Sequence, residues 1–213
     1  MRRYIRHITI HPLFFLCLAW IVFTDSALHL LLLLLSIALH EAGHLLVYLC
    51  AGVMIEEIRL QPFGIAIVPA QQALISRRIQ AVCAIAGPMV NLLCAAGGYA
   101  LLRFIGAPSW ATVVCLSNLF LGLFNLLPIL PLDGSRLLDA MIASIWGDYV
   151  SQWVCSIISL ISGSVLLVFG IRILLDTKMN LSVCMIGGYV LICLAVKIYQ
   201  FLKKRTVHVK SKS

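Results

Sequence analysis

The stretch ALHLLLLLLSIALHEAGHLLVYLC, residues 27–50, is an apolar run interrupted by His40-Glu41-Ala42-Gly43-His44. A helix rises ~1.5 Å per residue and needs ~20 residues to cross ~30 Å of hydrocarbon, so the run predicts one membrane-spanning helix. Positions i and i+4 lie on one helix face, which lets His40 and His44 reach one metal ion. Glu41 is placed to act as a base toward a metal-bound water. Because ionisable groups are costly inside a membrane, the pentapeptide indicates a functional site.

The composition is that of an integral membrane protein. Of the 213 residues, 62% are hydrophobic and only 11% are charged, and the mean hydropathy is +1.05. A soluble domain carries roughly 25% charged residues, so this composition excludes an ordinary soluble domain. The net charge of +8 would elsewhere suggest nucleic acid. Here the basic residues mark membrane topology, and we expect no nucleic-acid partner.

Six apolar stretches predict an all-α membrane protein with six transmembrane helices, at 8–24, 27–51, 81–105, 110–131, 152–175 and 182–202. Two of the predicted breaks are long, at 52–80 and around 132–151. Most Lys and Arg residues fall on the side of the termini, so the positive-inside rule predicts a multi-pass protein of the cell membrane with both termini cytoplasmic. We expect one membrane domain, residues 1–205, followed by a basic cytoplasmic tail, residues 206–213.

A second motif, NLLPILPLDG, covers residues 125–134. Pro128 and Pro131 break the helix, and broken helix at membrane depth is tolerated only against protein or a water-filled cavity. The second and fourth spans run in the same direction, and the two histidines lie ~20 and ~26 Å along theirs, near its cytoplasmic end. Asp133 follows the fourth span at that same end. We therefore expect Asp133 to join the two histidines as a third metal ligand.

These two motifs, in this order and at this separation, resemble those of the site-2 protease family of intramembrane zinc metalloproteases. More narrowly, the sequence is similar to the stage IV sporulation protein FB group. The likeness spans about residues 5 to 205 and includes Ile10-His11-Pro12-Leu13-Phe14, Pro62-Phe63-Gly64 and Ala86-Gly87-Pro88-x-x-Asn91. Members of that group carry a soluble CBS domain after the last span. Here the basic tail follows it, so the likeness does not extend to regulation through such a domain.

The resemblance implies a zinc endopeptidase with one Zn²⁺ per chain, held by His40, His44 and Asp133. Glu41 would deprotonate the zinc-bound water and pass the proton to the leaving amine. Asn125 would hold the substrate or stabilise the oxyanion. Asn91 would be a polar neighbour of the cavity. The implied partners are the lipid bilayer, membrane regulatory proteins and a membrane-tethered protein substrate, which in the sporulation group is an inactive sigma-factor precursor.

The loop at residues 55–69 predicts a short β-hairpin, because branched residues flank Pro62-Phe63-Gly64. In the family this region forms a re-entrant sheet near the active site. We hypothesise that the hairpin captures an unwound substrate by strand addition, which proline substitutions along its edge would test through substrate cleavage. A plain cytoplasmic turn is the alternative.

Other interpretations stay open at this point. Asn91 and Asn125 could serve only to hydrogen-bond between helices, and Asp139 is a rival to Asp133 as a ligand. The whole protein could also be a membrane metal transporter or sensor, in which Glu41 is a pathway ligand. A third class is a zinc hydrolase of lipids or small molecules.

Overall fold

The computed structural model describes residues 5–10, 27–61, 64–70, 75–106, 109–177, 187–196 and 199. The chain divides into two compact units, Met1–Leu126 and Leu127–Ser213, and each is described by itself. Several predicted features lie outside the described residues: most of the first span (8–24), the Pro62-Phe63 turn, much of the last span (182–202) and the tail at 206–213.

The first unit contains a small three-stranded sheet. Its strands are β1 (Ile5–Ile10), β2 (Ile55–Gln61) and β3 (Gly64–Pro69). β2 lies in the middle, parallel to β1 and antiparallel to β3. The hairpin predicted over residues 55–69 is therefore confirmed. β1 was not predicted, because Ile8 and Ile10 were assigned to the first apolar span (8–24), whereas residues 5–10 form a strand that pairs with β2.

Three helices complete the described part of this unit. They are α1 (Ala27–Cys50), α2 (Arg77–Ala100), which continues through one wider π-helical turn (Leu101–Ile105), and α3 (Ser109–Asn125). α2 packs against both α1 and α3. A Cβ at Gly43 would lie 2.8 Å from the Ala86 carbonyl oxygen, and one at Gly98 would lie 3.0 Å from the Cys115 nitrogen. Small residues at the crossings therefore let the helix backbones approach closely.

α1 ends in a left-handed glycine. Gly52 has φ 68°, its N–H donates to the Leu49 carbonyl, and the Val53 N–H donates to the Tyr48 carbonyl, at 3.0 and 2.9 Å. This pair of bonds is the Schellman motif, which satisfies the last carbonyls of a helix. It turns the chain from α1 toward β2.

The second unit begins with a long helix, α4 (Asp133–Thr177), whose backbone is non-helical at Gly147, with φ 82° and ψ 168°. Ser151 Oγ donates to both the backbone carbonyl and the side chain of Asp139, across this kink. The predicted break around 132–151 is thus wrong in extent: residues 133–146 are helical and only Gly147 interrupts them. The fourth span likewise stops at Asn125, six residues before its predicted end. A shorter helix, α5 (Gly187–Val196), follows.

Three helical stretches among the described residues are long and apolar enough to cross a membrane: Leu31–Cys50, Arg77–Ile105 and Asp133–Leu175. Helices α3 and α5 are apolar but shorter. The exposed faces carry large apolar side chains, such as Leu31 and Leu46, each 62% exposed. An aqueous surface would not tolerate contiguous apolar faces of this kind, and a bilayer would cover them. The count of six spans stays a prediction.

Candidate metal centre

Two buried histidines face each other on α1. His40 and His44 are each only 5% exposed, although the run that carries them exposes many leucines. Their Nε2 atoms lie 3.2 Å apart, and the rings are nearly perpendicular, at 82°. The spacing of four residues therefore produces what the sequence predicted: both imidazoles point to one place beside the helix.

The Nδ1 atom of His40 carries a proton. It contacts the Oδ1 atom of Asn91, and the orientation of that amide follows from its other bonds. Asn91 Nδ2 donates to the Ser36 carbonyl at 3.1 Å and to Asn118 Oδ1 at 2.7 Å, so Oδ1 is the acceptor that faces the imidazole. The other ring nitrogen, Nε2, then carries the lone pair.

His44 is held in the same tautomer by the backbone. Its Nδ1 lies 2.7 Å from the carbonyl oxygen of Cys83. A carbonyl can only accept, so Nδ1 of His44 must donate and its Nε2 also presents a lone pair. Two lone pairs at 3.2 Å repel each other unless a cation lies beside both. Metal-bound histidines characteristically donate their second nitrogen to a carbonyl oxygen, so this pair fits a metal ion.

Gly87 leaves the space that the two rings need. A Cβ at this position would lie 2.5 Å from His44 Nε2 and 2.8 Å from His40 Nε2, which is closer than real side chains come. Gly87 therefore lies against the Nε2 edge of both imidazoles. The sequence motif Ala86-Gly87-Pro88-x-x-Asn91 thus has two separate roles: the glycine makes room for this edge of the two rings, and the asparagine bonds His40.

Glu41, the predicted base, follows His40 on α1 and is half-buried. Asn125, the candidate oxyanion group, is the last residue of α3. Its Nδ2 donates to the Leu121 carbonyl of its own helix at 2.9 Å, which uses one of its two amide hydrogens. The catalytic roles of Glu41 and Asn125 stay predictions.

In the second unit, residues 127–132 form a non-helical segment that leads into Asp133. The Leu132 N–H donates to the Ile129 carbonyl at 2.8 Å, the Ser135 N–H to the Leu132 carbonyl at 3.1 Å, and the Leu130–Pro131 peptide is cis. The buried Leu130 N–H donates to Ser159 Oγ at 2.9 Å, which ties the segment to α4. Pro128 and Pro131 have no backbone N–H, so the segment can form fewer backbone hydrogen bonds than other segments of its length.

Asp133 and its rival differ in their surroundings. Asp133 is the first residue of α4 and is buried, with Arg136 Nη1 3.6 Å from its Oδ1. Asp139 is bonded through Oδ1 to Ser151, which gives it a structural role at the Gly147 kink. The structure therefore favours Asp133 over Asp139 as a ligand, and the assignment of Asp133 as third ligand stays a prediction.

Sequence reasoning missed the partners that orient the histidines. Ser36 and Asn118 were not singled out, and the Cys83 carbonyl carries no side-chain signal at all. Asn91 was expected only as a polar neighbour, whereas it is fully buried and bonds His40 directly. The signal available in the sequence was a polar residue within each of three apolar helices: Ser36, Asn91 and Asn118.

The chain is similar to known metalloproteases. Residues 104–169 match the family model of peptidase family M50. A zinc metalloprotease of Methanocaldococcus jannaschii is 32% identical over 165 residues, which cover 75% of this chain. The match spans 46% of that relative, so the chain covers less than half the length of the curated relatives it matches. The solved site-2 protease from Methanocaldococcus jannaschii superposes with a TM-score of 0.68 at 28% identity, covering 88% of this chain and 89% of that one.

Proposed function

We propose that this chain, which belongs to peptidase family M50 and to its site-2 proteases, is a zinc-dependent endopeptidase that cuts a membrane-associated protein. The observation that carries the proposal is the pair of Nε2 lone pairs 3.2 Å apart, each set by a hydrogen bond on the opposite ring nitrogen. Two imidazole nitrogens that converge in this way on an apolar helix fit a bound metal ion.

His40, His44 and Asp133 are the proposed ligands of one zinc ion. They offer two imidazole nitrogens and one carboxylate oxygen, a donor set that can hold a metal, and catalytic zinc commonly takes three protein ligands. Bound zinc would supply an acidified water and a Lewis acid for the scissile carbonyl. The three side chains are each at most 6% exposed.

Glu41 would take the proton of the attacking water and deliver it to the leaving amine. It lies one residue from His40 and is half-buried, so it is close to the ligand pair without being one of the pair. Asn125 would donate its second amide hydrogen to the oxyanion, since Leu121 uses the first. In a cleavage assay, Asn125→Ala should keep zinc and lower kcat by roughly 10²–10³-fold. Loss of zinc from that variant would contradict the role.

The substrate would be a protein tethered to the membrane, because the proposed ligands lie on or beside apolar helices. We propose a multi-pass protein of the cell membrane with both termini cytoplasmic, on the asymmetry of its Lys and Arg residues. The finer proposals are a tethered sigma-factor precursor as substrate and control by membrane regulatory proteins. Both rest on the resemblance to the sporulation group alone.

The test is Glu41→Gln, with Glu56→Gln as the matched control on the exposed surface of β2. Each variant is co-expressed with candidate tethered proteins, and both cleavage and bound zinc are measured. We expect Glu41→Gln to retain zinc and lose cleavage, while the control keeps both. Altered metal flux without any cleavage would indicate a transporter, and turnover of lipid but not of a peptide-bearing span would indicate a lipid hydrolase.

A further inference from the structure

We propose that Ser36 and Asn118 are positioning residues for the metal centre, acting through Asn91 to fix the tautomer of His40. The affinity for zinc would then depend on a polar network across three helices, which includes Asn118 on α3, a residue that is not itself a ligand. This inference rests on the zinc site proposed above. It adds that residues outside the proposed ligand set influence the zinc affinity of that site.

The network is closed to water. Asn91 is fully buried, Asn118 is 2% exposed and Ser36 is 3% exposed. Ser36 lies one helical turn before His40 on α1, Asn91 is on α2, and Asn118 is on α3. Because solvent cannot replace a lost partner at this depth, each of these groups depends on the others for its hydrogen bonds.

The bonds run in one direction only. Asn118 Nδ2 donates to Ser36 Oγ at 2.8 Å and to the Val114 carbonyl at 2.9 Å, and Ser36 Oγ donates to the Leu32 carbonyl at 2.8 Å. These bonds leave Asn118 Oδ1 as the acceptor toward Asn91. The carbonyls of Leu32, Val114 and Ser36 cannot donate, so they fix which end of each amide is the donor.

His40 is the end of this chain of bonds. If the Asn118 amide reversed, its NH₂ group would face the NH₂ of Asn91 and its oxygen would face the Val114 carbonyl. If the Asn91 amide reversed, it would present donors to His40 and favour the tautomer with the proton on Nε2. That tautomer removes the lone pair that the metal requires. The asparagine pair therefore keeps the Nε2 lone pair available before any metal binds.

The network differs from the support of His44. His44 donates to a backbone carbonyl of α2, which no side-chain substitution can reverse. His40 depends on a side-chain amide, which can rotate. Control of the site through side chains is therefore concentrated on one of the two histidines.

The experiment compares Asn118→Ala with Leu92→Ala in the purified full-length protein. Leu92 packs against Gly122, between the same two helices, so its truncation loosens the packing without touching the network. Zinc affinity is measured by competition with a chelator. We expect Asn118→Ala to weaken zinc binding by about 10-fold, within the ~10–100-fold range for residues that orient a ligand, and Leu92→Ala to leave it unchanged.

Two further measurements separate positioning from folding. In zinc-free protein, ¹⁵N NMR of the His40 ring should show an increased Nε2–H population in Asn118→Ala and not in Leu92→Ala. In an Asn91→Leu background, Asn118→Ala should cause no further loss of affinity, because the coupling to His40 is already broken. Ser36→Ala, which keeps the backbone carbonyl bonded to Asn91, should give a smaller loss and serves if Asn118→Ala does not fold.

The outcomes are distinguishable. Equal zinc affinity in Asn118→Ala and Leu92→Ala, or additive losses in the Asn91→Leu background, would overturn the positioning role and leave the proposed protease intact. Failure of the wild-type protein to bind zinc would overturn the proposed function itself.

Discussion

The two segments that carry the proposed ligands are built in opposite ways. His40 and His44 lie on an unbroken helix, and each imidazole is held by a bond from a neighbouring element. Asp133 follows a segment with two prolines and few backbone bonds, tied to its own unit through Ser159. Helical hydrogen bonds fix the first segment, whereas among the described contacts a few turn bonds and the side chain of Ser159 hold the second.

This difference assigns different tasks to the two segments. A helix sets the spacing of two ligands within narrow limits, which suits a pair that must share one ion. Non-helical backbone leaves unpaired polar groups, which membranes tolerate only against protein or water. Hydrolysis by a bound metal needs both rigidly held ligands and access for a water molecule. Substitutions should therefore damage the histidine segment through displaced ligands and the proline segment through lost support.

The largest expected effect comes from Gly87→Ala. The new Cβ would lie within 2.8 Å of both Nε2 atoms, so both rings must turn away from their shared position. A displacement of ~1 Å can cost on the order of 10²-fold in rate, and here two ligands move together. We expect cleavage to fall by at least ~10²-fold, with weakened zinc binding in the chelator assay.

Gly97→Ala is the matched control for that substitution. It lies on the same helix, and a Cβ there would meet no described atom within 4 Å. Because alanine is the better helix former by about 1 kcal/mol, this variant should be as active as the wild type and at least as stable. Normal cleavage by Gly87→Ala would mean that the Nε2 atoms of His40 and His44 do not hold the catalytic metal ion.

The next effect concerns the carboxylates of the second unit, compared as Asp133→Asn and Asp139→Asn. If Asp133 is the third ligand, its amide variant loses a negative charge at the metal, and zinc affinity should fall by more than the ~10–100-fold typical of residues that only orient a ligand. Asp139 is engaged with Ser151, so its amide variant should change stability and leave zinc affinity unaltered. Zinc content after dialysis against chelator separates the two, and a reversed order would make Asp139 the ligand.

Sequence alone predicted the parts of the site that depend on local periodicity. The i, i+4 spacing placed both histidines together, and the prolines indicated a helix break before Asp133, although α3 already ends at Asn125. The tautomers were not predictable, because they depend on Asn91 and Asn118, which lie 51 and 78 residues from His40 (91 − 40 and 118 − 40). No local pattern connects residues on separate helices.

The boundaries of the second unit show the same limit. Residues 132–151 contain Asp133, Arg136, Asp139 and Asp148, and the sequence predicted a break between two spans there. The segment is helical up to the single kink at Gly147, because Ser151 and Asp139 satisfy each other across it. In the same way, β1 could be predicted only from its pairing with the edge of β2, which the local sequence does not show. Pairing partners distant in sequence decided both cases.

The smallest effect should come from Ser159→Ala, which removes the acceptor of the buried Leu130 N–H. An unsatisfied buried donor costs about 1–3 kcal/mol, so we expect a lower unfolding temperature in detergent and a modest loss of kcat, with zinc affinity nearly unchanged. Ser144→Ala is the control, since Ser144 is exposed and bonds only within its own helix turn, to the Met141 carbonyl, among the described contacts. If Ser159→Ala matched this control in stability, the proline segment would have support beyond Ser159. The contrast between the histidine segment, fixed by helical hydrogen bonds, and the proline segment, whose described side-chain support is Ser159, would then disappear.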